Sequence, residues 1–533
     1  MQTEVTAIFE EYNKAKDYKE SLGEKGLFEQ GKINERFYAG NQWYGVNSSN
    51  DRPLVRHNII KRIGDFKMSQ TLSDDYGVSF FTEGVSQTKD GVNAFKDFKK
   101  KIKDDSFSFT GNVTEKEIFA VCKALSEHYR TTAERVDIKS LCARILRNAY
   151  INGAGVLYTY FDGSGFSATD FTGERVKGDI KCEVLKISDV CFADGSDTDI
   201  QSQPYIILAS SRDKQEILRQ ADIYGTTDSV ERAQPESSGK ILVLTKLYKQ
   251  YDKNGTSVKC ITVTNGGVLR REFDTKLHLY PISVFRFGEG ENSAYGESEI
   301  TYLIPNQIAV NRMITANVWS SIAAGMPLML INGDIVSGDI TNDPGQIIKI
   351  YGTGDDVANA VKFVSPPDFS TFQNNAVDNL IYNTLTQSGA GPAILGDEQA
   401  QNASAIDKLQ SAALVPISII KNRYREFLRT TALIWADFWL NYYLKRRIRI
   451  EDEDGIWYFP FEATRYKDVD FSVKTDIIEA RAFTNKEKIA MLDSLFDRGI
   501  INKEQYLSRL PESLIDQRAE LLEQVKENSN ESK

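Results

Sequence analysis

The sequence predicts an α+β protein in which helical blocks enclose an antiparallel strand region, and three observations predict it. Apolar residues recur at helical spacing through the first 150 residues and again beyond Gly296. Around residue 151 the period changes to short runs rich in β-branched and aromatic residues. Asn- and Gly-containing turns at 252–255 and 265–267 separate the last of these runs, as in a meander. A chain of 533 residues exceeds one ordinary core, so several domains or one elongated mixed architecture is expected.

In chain order, Val5, Ile8, Phe9 and Tyr12 mark a first helix, and a Gly- and Asn-punctuated stretch around Gly40–Asp51 marks a loop. A helical pattern resumes at Ile59, Ile60, Ile63 and Phe66, and a stripe from Ile118 to Ile145 makes 114–150 a second helical block. Strands follow in VLYTYF, IKCEVL, YIILAS, ILVLTKLYKQY, VKCITVT and VLRREF. Residues 211–240 read as a helix with a variable loop, and 76–113 fit no pattern.

From Gly296 the chain is helical again, with a helix expected to start at Pro305, because proline is tolerated in a first turn. Gly325 and Pro327 stop it, a compact Gly/Asp-rich insert spans 326–366, and a second helix covers about 368–387. A long helix is expected over 403–447, kinked at Pro416, whose ring clashes with the carbonyl of Ala412 while the apolar stripe continues on both sides. The segment EDEDG (451–455) is a polar turn leading into strand, and capping boxes Thr484/Glu487 and Asn502/Gln505 open terminal helices.

Composition narrows the function classes. A formal charge of −10 opposes tight, sequence-independent wrapping of nucleic acid, though not a passage that lets DNA slide. The N-terminus lacks the features of a signal peptide, and the most apolar run, TALIWADFWLNYYL, is too short to span a membrane. Five scattered cysteines suggest reduced thiols in a cytosol. The three histidines, His57, His128 and His278, lie far apart and form no metal or triad pattern, so no catalytic and no metal residue is assigned and no cofactor is expected. The nearest phosphate-loop candidate, Ser238-Gly239-Lys240, lacks both the leading glycine and the Mg²⁺-binding hydroxyl. Asp194, Asp197 and Asp199 could serve a metal-dependent nuclease, but a solvated turn between strands accounts for them more simply.

Several segments together resemble the tailed-bacteriophage portal, or head–tail connector, family. FYAGNQW (37–43) followed by RPLVRHNII (52–60) is similar to its opening signature, in which an Asn begins a helix. ISDVCFADGSDTD (187–199) resembles its Asp-rich wing turn, and GESEITYLIPNQIAVNR (296–312) its Gly-x-Ser entry into the first stem helix. GPAILGD (391–397) with NASA (402–405) resembles the tunnel loop, and DRGIINKEQYL (497–507) a crown repeat. The resemblance implies an elongated fold: an α/β wing (1–296 with 448–476), two stem helices (297–325 and 367–388) and a small α/β clip (326–366). It also implies a tunnel loop (389–402), the long kinked helix (403–447) and a helical crown (477–533).

By the same resemblance the chain would be a non-enzymatic virion subunit, assembled in the host cytoplasm into a ring, dodecameric in the family, at one capsid vertex. Double-stranded DNA would pass through the ring, and terminase, a tail adaptor, major capsid protein and scaffolding protein would be partners, with no membrane involved. Gln399, Gln401 and Asn402 would line the DNA channel as uncharged amides. Lys421, Arg423, Arg425 and Arg429 form a basic belt facing either DNA or, as ring closure favours, carboxylates of a neighbouring subunit. The competing readings are a metal-dependent nuclease and another minor head protein.

Overall fold

The computed structural model of the chain describes residues 2–46, 54–83, 113–170, 173–235, 239–252, 255–290, 293–325, 328–331, 334, 336–337, 349–352, 361–364, 370–391, 415–452, 455–479 and 485–510. The N-terminal region holds α1 (Gln2–Ser21), α2 (Gly26–Tyr38), α3 (Ile59–Leu72) and β1 (Asp75–Phe81). The expected block at 114–150 is two helices, α4 (Glu115–Arg135) and α5 (Ile138–Asn152), broken where Asp137 takes a left-handed conformation. Thr114 caps α4 by accepting from the Glu117 N–H, and Asp137 caps α5 by accepting from that of Ser140.

Strand periodicity then takes over in β2 (Ala154–Thr169), β3 (Arg175–Lys186), β4 (Val190–Phe192) and β5 (Tyr205–Arg212). Two short helices, α6 (Lys214–Tyr224) and α7 (Thr227–Glu231), precede β6 (Ile241–Asp252), β7 (Gly255–Thr264), β8 (Gly267–Asp274) and β9 (Ile282–Arg286). The meander is as expected: Asp252 pairs with Gly255 and Thr264 with Gly267, and a two-residue turn at 265–266 joins β7 and β8. These strands belong to a five-stranded antiparallel sheet ordered β4-β5-β6-β7-β8, and β3-β2-β9 form a second sheet.

Next comes a helical hairpin: α8 (Glu299–Gly325), the strands β10 (Leu328–Ile331), β11 (Val336–Ser337), β12 (Lys349–Ile350) and β13 (Val361–Val364), and α9 (Ser370–Gln387). β10 pairs antiparallel with β13 and β11 with β12. Pro305 does not start α8 but lies inside it. The start is set earlier by Ser298, whose Oγ accepts from the Ile300 N–H.

The chain continues in α10 (Val415–Tyr442), β14 (Lys445–Asp452), β15 (Gly455–Glu462) and β16 (Ser472–Glu479). The long helix therefore ends at Tyr442 and not at Arg447. Leu444, at φ 52°, turns the chain into a hairpin in which Lys445 pairs with Glu462 and Asp452 with Gly455. Burial alternates strictly through Arg446, Ile448 and Ile450, which is strand periodicity with an arginine in one core position. β1 and β16 form a two-stranded ribbon.

Contacts divide the chain into two units. The first (Met1–Thr71 and Val78–Lys474) is held by a core in which Trp435 and Trp439 of α10 pack with Tyr129 of α4 and Phe459 and Phe461 of β15. A second cluster seats Val5, Ile8 and Ala15 of α1 on Cys191, Ile207, Leu244 and Ile261 of the five-stranded sheet. The other unit comprises Leu72–Gly77 and Thr475–Lys533, with described helices α11 (Asn485–Asp497) and α12 (Lys503–Arg509). There Phe496 and Tyr506 lie 5.1 Å apart, and Asn502 and Gln505 form the expected capping box. Thr484 lies outside the described residues. Among the described residues, no helix is long and apolar enough to cross a membrane.

Candidate functional site: a helical hairpin rooted by a buried amide ladder

Two stretches singled out in the sequence, 37–60 and 296–312, meet at the root of the α8–α9 hairpin. Along α8, Gln307, Asn311 and Thr315 are spaced four residues apart, so about 6 Å separates each from the next on one face. Opposite runs the segment 54–58, which belongs to neither helix nor strand. Alternate residues of an extended chain recur at about 6.6 Å, close enough to the helical spacing for the two to form a ladder. The Val55 N–H donates to Thr315 Oγ1 at 3.1 Å, and the His57 N–H to Asn311 Oδ1 at 2.9 Å. The next rung reaches α3, where the Ile59 and Ile60 N–H groups both donate to Gln307 Oε1, at 2.9 and 3.3 Å.

The amides are closely satisfied. Gln307 Nε2 donates to the His57 carbonyl at 2.5 Å and to Asn311 Oδ1 at 3.1 Å, so this side chain uses both donors and both lone pairs. Asn311 Nδ2 in turn donates to Gln42 Oε1. Gln307 and Asn311 are 1% and 2% exposed, which makes the ladder obligatory, because a buried amide without partners is costly. Asn58 completes the α3 start by accepting from the Lys61 N–H at 3.0 Å. It is the Asn that the sequence expects to begin a helix. Arg52 and Pro53 lie outside the described residues.

Further ties hold the same root. Asn34 of α2 donates to the Ile151 carbonyl and to Thr301 Oγ1, at 2.9 and 3.2 Å. Ser298 Oγ donates to the Tyr150 carbonyl at 2.7 Å. Lys67 of α3 pairs with Glu299 at 2.5 Å, and that carboxylate also sits favourably at the N-terminus of α8. Tyr38, buried and bonded to Asp65, has its phenol pushed up to about 12. Beyond Asn311, by contrast, no described α8 side chain is buried. Among the described residues the hairpin is thus buried at one end and only partly covered along the other.

The remaining candidates fall as follows. Gln399, Gln401 and Asn402 lie outside the described residues, as does most of the 326–366 insert. Pro416 stands in the first turn of the described part of α10; the residues before Val415, on which the expected kink depends, lie outside the described residues. A methyl placed on Gly389 would touch the Pro416 ring at 3.5 Å, so the chain leaves and re-enters the described structure at neighbouring points around 392–414.

Within the basic belt, Arg423 donates to Glu289 Oε1 at 3.2 Å and to the Phe287 carbonyl at 2.6 Å, and Arg429 pairs with Glu426 of its own helix. Lys421 and Arg425 lie on the same helix, and Arg425 is half-buried. Arg446 is buried, donating to the Lys177 and Gly178 carbonyls with its guanidinium 3.7 Å from the Tyr443 ring centre.

The acidic turn is a local structure. Asp194 accepts from the Ser196 N–H and hydroxyl, and Asp197 from the Asp199 N–H and the Ser202 hydroxyl. Those bonds hold both carboxyls below their ordinary range. Asp199, Arg286, Glu289, Arg423 and Glu426 border a cleft of about 260 Å³ in which acidic and basic groups alternate. Among the described residues no group of three potential metal ligands converges.

No protein-family profile matches the chain, and no curated protein matches its sequence. Among solved structures, a chain from the virion of a native gene transfer agent particle is similar over 90% of this chain and 93% of its own length. The identity is 9% and the TM-score 0.36, too loose a likeness to carry an argument about fold or function.

Proposed function

We propose that this chain is a portal subunit of a tailed phage, a non-enzymatic component of a ring at one capsid vertex. DNA would pass through the ring during packaging and ejection, driven by a partner motor, and terminase and tail adaptors would dock on it. The observation that carries the reading is the hairpin. The segments resembling the family's opening signature and its stem entry lie about 250 residues apart, yet they share one hydrogen-bond ladder. A rigidly rooted pair of helices whose described outer half is only partly covered suits a wall element that identical neighbours complete, through a heterologous interface that closes by rotation. The partners found by Asp194 and Asp197 inside their own turn speak against the nuclease alternative.

Electron microscopy of the purified protein tests the proposal. Rings with a central hole are expected. A protein that remains monomeric at high concentration, with and without scaffolding protein, would overturn it.

A further inference from the structure

Lys19 and Cys191 form a buried pair that the hairpin does not involve. Both residues are 0% exposed, one in the last turn of α1 and the other in β4. Lys19 Nζ donates to the Ser188 carbonyl at 2.7 Å and lies 3.1 Å from Cys191 Sγ. The rings of Tyr295 and Phe28 face the same nitrogen at 5.4 and 5.6 Å. Among the described residues Lys19 makes no direct ion pair with a carboxylate; a carbonyl, a sulfur and two π faces surround its nitrogen, and Asp189 acts on it only from beyond contact. Such surroundings favour the neutral amine and the neutral thiol: burial lowers the Lys19 pKa and raises that of Cys191.

We propose that Lys19 and Cys191 are a modification site, closed by peroxide into a covalent nitrogen–oxygen–sulfur bridge that staples α1 to the five-stranded sheet. In the first step the neutral Lys19 amine takes the Cys191 proton, the thiolate attacks hydrogen peroxide, and the proton completes a sulfenic acid and one water. In the second, another peroxide, the sulfenic acid and the Lys19 amine give the S–O–N linkage and two waters. The S–O bond is retained, an N–H bond is broken and an O–N bond forms. A gap of 3.1 Å suits an inserted oxygen, whereas a direct sulfur–nitrogen bond would require a much larger approach of the two atoms. Four electrons leave the pair in all, and two equivalents of a dithiol restore the amine and thiol. The crosslink would join positions 172 residues apart, so it would strongly restrict the unfolded chain.

The test uses the full-length wild-type protein. It is treated with hydrogen peroxide, alkylated, digested with trypsin and examined by mass spectrometry. Cleavage at a bridged Lys19 is blocked, so peptide 17–25 should appear joined to peptide 187–212. The joined mass should exceed the sum of the two peptides by one oxygen less two hydrogens. The species should vanish on dithiol treatment and be absent from Cys191→Ser. In parallel, oxidised wild-type protein should melt at a higher temperature than the reduced form, with no such difference in the variant. A link lacking the oxygen, Cys191 recovered as an unlinked sulfinic acid, or Cys191 still fully alkylated after peroxide would each overturn the proposal.

Discussion

Gln307 shows how much one side chain can decide. It accepts two backbone donors at the start of α3 and donates to a carbonyl and an amide, all in a buried setting. Gln307→Leu preserves bulk and strips the acceptor, stranding the Ile60 N–H and leaving the Ile59 N–H only its bond to the His57 carbonyl at 3.1 Å. At about 1–3 kcal/mol for a stranded donor, a loss on the order of 2 kcal/mol is expected, read from the denaturant midpoint. His128 makes a second decision at this scale. The Tyr443 hydroxyl gives its proton to Asp179 at 2.6 Å, so His128 Nε2, 3.1 Å away, must carry the hydrogen between them. Burial, and then the Arg135 and Arg446 cations, push the imidazole down to about 3. The folded value therefore lies below the ordinary 6.5, and the unfolded chain binds the extra proton between the two. Stability is full above pH 6.5 and is lost as the pH falls towards about 3. His278, raised by its bond to Asp437, has the opposite sign: its contribution is full below 6.5 and is lost as the pH rises through its higher folded value. His128→Phe should flatten the loss of stability between about pH 6.5 and about pH 5, above the range where ordinary carboxylates titrate. Denaturant midpoints across that window check it, and an unchanged slope would refute the assignment.

Among elements, the entry into α8 explains why a Gly-x-Ser triplet stands at 296–298. Gly296 has φ 66°, and a methyl there would come within 2.7 Å of the Gly153 carbonyl oxygen, itself on a residue at φ 95°. Ser298 follows as the cap and also bonds back to Tyr150. Gly296→Ala should destabilise the protein by more than the roughly 1 kcal/mol that a left-handed alanine costs, because a backbone must also shift. Ser298→Ala, which removes one cap, should cost about 1 kcal/mol. Thermal unfolding of the two variants gives the ranking, and an equal effect would contradict it. In the sequence this triplet entered only through the family resemblance, because its close approach to Gly153 and its bond to Tyr150 are not local. The meander and the Asn502 capping box were legible because turn and cap chemistry is local. The amide ladder was not, since Gln307, Asn311 and Thr315 read as ordinary helix positions until the segment at 55–60 is laid beside them. The start of α8 was misplaced because Pro305 carries a strong local signal for a first turn, while the true cap is set by contacts with Gly153 and Tyr150. The end of α10 was misplaced because Arg446, filling a core position of β14 under the Tyr443 ring, hid the alternation that marks a strand.

At the scale of the whole molecule, the outer half of the hairpin is where folding and the proposed ring assembly can be separated by experiment. Met313, Ile314, Val318 and Trp319 of α8 are only partly buried, and Ile322 is 38% exposed. A soluble protein exposes scattered apolar side chains without consequence, but a row along one helix marks a surface that a partner covers. In the ring proposed above that partner is the next copy, and each interface would bury the row at about 25 cal/mol per Å² of apolar surface. Ile322→Asp is therefore diagnostic. The side chain already meets solvent in the single chain, so thermal stability of the monomer should change by no more than about 0.5 kcal/mol. In the ring the carboxylate would be desolvated without a partner at every interface, and closure requires every interface to form. Unchanged melting together with loss of rings, measured by light scattering and electron microscopy, is the expected outcome. Rings that persist at wild-type abundance would show that the hairpin is not the assembling surface. A monomer that no longer melts cooperatively would show instead that the outer half of α8 belongs to the fold.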